Sequence, residues 1–200
     1  MLSKRNLIVL AMLMAIGVFF AGLTLARADS GDDGSGNPTP SCNLAGNDGG
    51  DHNAQDDANS NGENLQGSDR DDNEQGTSRD DQLDGNQGDD DLEGHEGDDD
   101  LCGDQGDDHL NGGRGNDVLK GGPGDDVENG QAGNDKVEGD SGNDDLNAGP
   151  GRDTVTGGPG NDDIDVRGGG RDKVTCGGGR DVVRASHNDR VSSNCEVVKY

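Results

Sequence analysis

From Gly85 to Asp165 the chain repeats every nine residues without a gap, a period so short that each unit must lean on its neighbours to bury anything. The nine units begin at Gly85, Gly94, Gly103, Gly112, Gly121, Gly130, Gly139, Ala148 and Gly157 and read approximately G-x-x-G-[N/D]-D-x-[L/V/I]-x. The fourth place is Gly in all nine. The sixth is always Asp: Asp90, Asp99, Asp108, Asp117, Asp126, Asp135, Asp144, Asp153 and Asp162. The eighth is aliphatic in eight of the nine, with Glu128 as the exception. Weaker units extend the phase backward: Gly76 to Asp84 keeps Asp81 and Leu83, Gly67 to Gln75 keeps Asp72, and Ala58 to Gln66 puts Glu63 at the sixth place. One extra residue near Val166 shifts the phase, and two further units follow with Asp172 and Asp181 at the sixth place.

Glycine at the fourth and commonly the first place supplies positions for positive φ, and Asn or Asp before the sixth-place Asp suits a turn. Each unit is therefore read as a turn of about six residues followed by a three-residue strand whose one aliphatic side chain points inward. With 26% apolar residues, 2% aromatic and no Trp, no ordinary core is available. One buried aliphatic side chain does not offset the entropy of ordering nine residues. An aspartate every nine residues adds repulsion, unless a cation lies between them. Ca²⁺ suits such turns, because it takes roughly six to eight oxygen ligands, carboxylate and carbonyl, in flexible geometry.

The units resemble the hemolysin-type, or RTX, calcium-binding repeat, G-G-x-G-x-D-x-U-x with U a large aliphatic residue. Gly112-Gly113-Arg114-Gly115-Asn116-Asp117-Val118-Leu119-Lys120 matches at every defined place, as does Gly157-Gly158-Pro159-Gly160-Asn161-Asp162-Asp163-Ile164-Asp165. The resemblance covers about residues 58–184. It implies an all-β fold, a parallel β-roll (solenoid) with two nonapeptides per coil and several Ca²⁺ ions between stacked turns. Its ligands would be turn carbonyls and Asp81, Asp90, Asp99, Asp108, Asp117, Asp126, Asp135, Asp144, Asp153, Asp162, Asp172 and Asp181. Units 18 residues apart would stack, so Leu92, Leu110, Leu146 and Ile164 form one column, and Leu101, Leu119, Val137 and Val155 the other. Glu128 interrupts the first column, and a local defect is expected there, with Val127 turned inward or Glu128 bent out. Arg152, Arg171 and Arg180 at the fifth place, with Arg79 and Glu63 near the start, imply weak or absent calcium binding in their units.

Lys4 and Arg5 precede an apolar run from Leu7 to Leu25, and Ala26-Arg27-Ala28 offers a cleavage pattern, so residues 1–28 are read as an export signal rather than a membrane anchor. Residues 29–57 read as a disordered acidic linker, 58–165 as the repeats, and 166–200 as degenerate repeats closing as a C-terminal cap. Without its first 28 residues the chain has 13 basic and 43 acidic residues, or −30. That sign disfavours nucleic acid and anionic membranes and favours multivalent cations.

Four cysteines behind an export signal leave three disulfide pairings open, and none has zinc-site spacing. Secreted bacterial relatives share the endings around Cys176 and Cys195, which implies a bridge between those two. Cys42 and Cys102 remain, as a second pair or as free or intermolecular thiols, with Cys102 expected at an outward ninth place.

Asp57 to Gly62 matches half an EF-hand loop, but Ser68 stands where its Glu should be, and the match is read as coincidence. His52, His95, His109 and His187 share no catalytic spacing and are expected in solvent. The chain is not expected to be an enzyme, for a thin roll offers no dry concave site. The expected role is a secreted, extracellular calcium-binding module, structural or associated with a surface or matrix. Alternatives are a calcium-dependent adhesion protein with a cell-surface partner, an acidic disordered polymer that buffers cations, and a secretion accessory.

Overall fold

The computed structural model describes residues 64–200, which form sixteen short strands winding into a parallel β-solenoid of about eight coils. Successive strands alternate between two eight-stranded sheets, and every neighbouring pair within a sheet is parallel. Two nonapeptides make one coil: Leu83 pairs with Leu101 and Leu101 with Leu119 in one sheet, and Leu92 with Leu110 in the other. The extra residue widens the step from 18 to 19, so that Val155 pairs with Val174 and Ile164 with Val183. The export-signal, linker and Cys42 expectations lie outside the described residues, as does Glu63.

Several strands are twice the expected length. His109–Arg114, Val118–Pro123 and Val127–Ala132 each run through the eighth place and on through the first three places of the next unit. Pairing of Gly113 with Gln131 and Arg114 with Ala132 carries the ladder across what the sequence suggested was turn. In these units the turn shrinks to places four to six.

The glycines are explained differently at different places. A Cβ on Gly133 would run into the carbonyl oxygen of Gly115, and one on Gly115 into that of Gly97, so the fourth place must be bare for coils to stack. First-place glycines were expected to take positive φ, but Gly85, Gly94, Gly103 and Gly121 do not. Their requirement is space, since the sixth-place carboxylate of the same unit folds over them: the nearest atom to a Cβ on Gly94 would be Oδ2 of Asp99. Positive φ is found at the fourth place, as expected, in Gly88, Gly97, Gly106, Gly115 and Gly142, and also at the second place, where Asn86, His95, Asp104, Gln131 and Asp140 adopt it alongside Gly113 and Gly122.

The eighth-place side chains fill a narrow interior in two clusters. One holds Leu83, Leu92, Leu101, Leu110 and Leu119, with Leu65 packed against it. The other runs from Val137 to Ala185. Glu128 lies in the layer between them. The expected defect is absent: Glu128 pairs in register with Leu110 and Leu146 and is fully buried, while Val127 remains 38% exposed. Backbone ladders on both sides hold the pleat, and a single polar residue does not reverse it.

Toward the C-terminus the interior thickens, because the first place carries Ala148, Cys176 and Ala185 and an added inward residue, Val166, all buried. Cys176 and Cys195 are joined by a disulfide with their Cα atoms 5.2 Å apart. Cys102 is also disulfide-bonded, and it is buried rather than outward, contrary to expectation. Among the described residues no helix is long and apolar enough to cross a membrane.

Candidate metal-binding turns

All twelve expected ligand aspartates are buried at the turns, each at most 2% exposed. Their side chains form two rows, one along each edge of the roll. The N–H of Asp90 donates to Oδ1 of Asp108, that of Asp108 to Asp126, and that of Asp126 to Asp144, at 2.8–3.0 Å. The other row runs from Asp81 through Asp99, Asp117 and Asp135 to Asp153 in the same way. Each bond reaches one coil forward. The insertion does not break the rows, for Asp153 donates to Asp172 and Asp162 to Asp181. At the C-terminal end, carboxylates from outside the repeat take over as acceptors: Asp189 for the Asp172 N–H and Glu196 for that of Asp181, both at 3.1 Å.

Oδ1 is thus occupied in every case, but Oδ2 is not. In eleven of the twelve aspartates Oδ2 is buried with no hydrogen-bond partner. The exception is Asp81, whose Oδ2 accepts from the backbone and hydroxyl of Thr77. Asp72, one coil from Asp90 in the other row, is held likewise by Ser68. Burying open carboxylate oxygens raises the carboxyl groups, chiefly by desolvation, with neighbouring aspartates adding to it and the accepted N–H opposing it. Asp90, Asp99, Asp135 and Asp144 are pushed up to about 7, and Asp126 to about 8. Such rows favour either protons or a cation. A divalent ion with several oxygen ligands fits this donor set, with Oδ2 supplying carboxylate and turn carbonyls the remainder. Among the described residues no three His, Cys, Asp or Glu side chains converge into a ready cage.

A second pair of rows lies outside the first and points the other way. At the fifth place the N–H of Asn116 donates to Oδ1 of Asp98 one coil back (2.7 Å), and that of Asn134 to Asn116 (3.0 Å). Opposite, Asp107 reaches back to Asp89, Asp125 to Asp107 and Asn143 to Asp125. Asn or Asp at this place therefore joins coils rather than serving only its own turn. Arg152 and Arg180 donate into these rows through their N–H but offer no acceptor, and each ends its row. Asp172 and Asp181, beside Arg171 and Arg180, are nevertheless buried with Oδ2 open like the rest.

Other buried acids were not expected at the site. Glu74 occupies the eighth place of its unit and points inward, fully buried and pushed up to about 8 by desolvation, with Asp72, Asp84 and Asp90 adding to it. Glu128 is also raised well above the ordinary range, chiefly by burial. Asp84 and Asp104 meet as a buried carboxyl pair, both raised mainly by burial. For Glu74 the nine-residue phase already marked the place as inward. The described histidines are exposed as expected; His95 lies 3.3 Å from Glu93, and His187 stacks at a tilt on Tyr200.

Parallel coils with aspartate-rich turns at a nine-residue period define the class: a repeat solenoid of the β-roll type. The model of the RTX calcium-binding nonapeptide repeat matches in four copies, over residues 66–101, 75–110, 103–137 and 138–170, and the chain belongs to that family. No curated protein matches the chain.

Proposed function

We propose that the protein is an exported, non-enzymatic calcium-binding module whose roll is completed by the ions it takes up outside the cell. The observation that carries this reading is the set of eleven buried, unpartnered Oδ2 atoms along the two rows of turns. Left empty, each would be a buried carboxylate short of a partner. With Ca²⁺ between coils, each becomes a ligand, and ordering of the chain is coupled to binding. Asp90, Asp99, Asp108, Asp117, Asp126, Asp135, Asp144, Asp153, Asp162, Asp172 and Asp181 are the proposed carboxylate ligands. Asp81 is the weakest of the twelve expected, its Oδ2 being spoken for by Thr77. The net charge of −27 fits a chain that stays expanded where Ca²⁺ is scarce and closes where it is abundant. Residues 1–28 are proposed to be removed on export, and the working role is structural, at a surface or in a matrix.

The test is far-ultraviolet circular dichroism of the full chain without its first 28 residues, titrated with CaCl₂ and separately with MgCl₂. A cooperative gain of β-structure with Ca²⁺ and none with Mg²⁺ is expected, in the range of about 10⁻⁴ to 10⁻³ M typical of extracellular modules. Indifference to Ca²⁺ would overturn the reading.

A further inference from the structure

Glu128 is fully buried, with both carboxylate oxygens unpartnered, in the middle of the interior. A side chain there should be aliphatic, as Leu110 and Leu146 are on either side. Its Oε1 is turned toward the turn of its own unit.

Glu128 Oε1 lies 2.7 Å from the point where a Cβ on Gly121 would stand, and Asp126 Oδ2 lies closer still to that point. The two oxygens are therefore no farther apart than about 5 Å, the span of two ligands about one Ca²⁺. Elsewhere along the row, as at Asp108 with Leu110 and Asp144 with Leu146, the eighth place offers no oxygen.

We infer that Glu128 is a cation ligand that reaches the turn from inside the roll beside Asp126 Oδ2, and that this junction binds Ca²⁺ more tightly than its neighbours in the row, whose eighth places carry no carboxylate. This rests on the reading of the turns as calcium sites and adds to it a residue outside the repeat's ligand pattern. The buried glutamate is then neither a packing error nor a gap in the column. It anchors an ion in the layer that separates the two apolar clusters, so the halves of the core are joined through metal rather than hydrocarbon. Glu74 is likewise a buried eighth-place acid, but Oδ2 of Asp72 in its unit is already taken by Ser68, which makes Glu128 the stronger case.

The experiment is calorimetric titration of CaCl₂ into metal-stripped protein, wild type against Glu128→Leu and Glu128→Gln, with circular dichroism of each before and after. Expected is a tight phase in the wild type that loses one ion in both variants, the affinity at that junction falling by roughly tenfold or more as one charged ligand is removed. Glu128→Leu, which restores the aliphatic column, should also show more β-structure than wild type without metal. If both variants keep the wild-type number and affinity of tight ions, Glu128 is not a ligand and the inference fails while the turns remain calcium sites. If the wild type binds no Ca²⁺, the functional reading and this inference fall together. Should Glu128→Leu not fold even with Ca²⁺, Glu128→Gln, which keeps the shape, decides alone.

Discussion

The α-carbon of Gly133 sits over the carbonyl oxygen of Gly115, one coil earlier, so closely that a single added carbon would overlap the oxygen. The same stacking repeats between Gly115 and Gly97 and between Gly142 and Gly124. It sets how near one turn can lie to the next, and with it the reach of every carboxylate between them.

Gly133→Ala should therefore cost more than about 3 kcal/mol, in the range reserved for substitutions the backbone cannot absorb. Gly178→Ala is the control, since nothing lies within 4 Å of the added carbon and φ there is not positive. It should change stability by less than about 0.5 kcal/mol. Urea melts in saturating CaCl₂ compare the two, and equal losses would show that the stacking does not limit the fold.

Acidity should substitute in part for calcium. The turn carboxyl groups are raised in the folded state, Asp108, Asp153 and Asp162 to about 6 and Asp90, Asp99, Asp135 and Asp144 to about 7. A carboxyl with a raised folded value contributes stability that is complete below its unfolded value near 4 and lost as pH rises through the folded value. Metal-stripped protein should hold more β-structure at about pH 4 than at pH 8, with the loss running from about pH 4 up to about 7. Calcium affinity should rise over the same interval as ions displace fewer protons. Circular dichroism across this range, with and without CaCl₂, gives the answer. A metal-free roll that gains structure as pH rises would contradict the burial of these oxygens.

Breaking the Cys176–Cys195 bridge, which joins residues 19 apart, should lower stability by about 3 kcal/mol in the chain-entropy view. Because both residues pack in the C-terminal cluster with Val191, hydrogen exchange should quicken first near Val183 and Val191 and only later near Leu92 and Leu110. Uniform acceleration along the chain would mean that the coils unfold as one unit.

Arg152→Asn should stabilise. It would give the outer row an acceptor where it now stops, for a gain of about 1 kcal/mol from one exposed-edge hydrogen bond. A thermal melt at fixed calcium suffices, and no gain would show that Arg152 is compensated elsewhere.

The nine-residue phase made much of this legible. It located the two columns, the 18-residue stacking and the edge on which each aspartate falls, because a one-residue strand core leaves a single way to bury Leu83 over Leu101 and Leu119. It did not separate the duties of the glycines. Space and φ leave the same letter in a sequence, and the structure assigns space to Gly94, positive φ to fourth-place glycines such as Gly97, and positive φ also to the second place, where Gln131 and Asp140 bear it without being glycine. Nor did it place Glu128. Judged alone, a buried carboxylate is too costly to keep, and what holds it inward is the pairing of the whole strand, Val127–Ala132, with both neighbours. Glu74 was passed over for the same reason. Cys102 was assigned to the surface by alternation, but it ends the short strand Asp100–Cys102 and is buried as one half of a disulfide, which alternation does not register.

The inner and outer rows run in opposite directions, and at the C-terminal end the inner ones finish on Asp189 and Glu196, which belong to no repeat. Flat parallel strands stacked in register are the geometry of an amyloid protofilament, and such a stack grows wherever its last layer leaves donors and acceptors open. Here the last repeat-borne donors are already answered by carboxylates of the chain's own tail, and the final strands carry Arg190 and Lys199. The inner rows therefore close on acceptors from outside the repeat, and the last sixth-place N–H groups are not left open to a further layer.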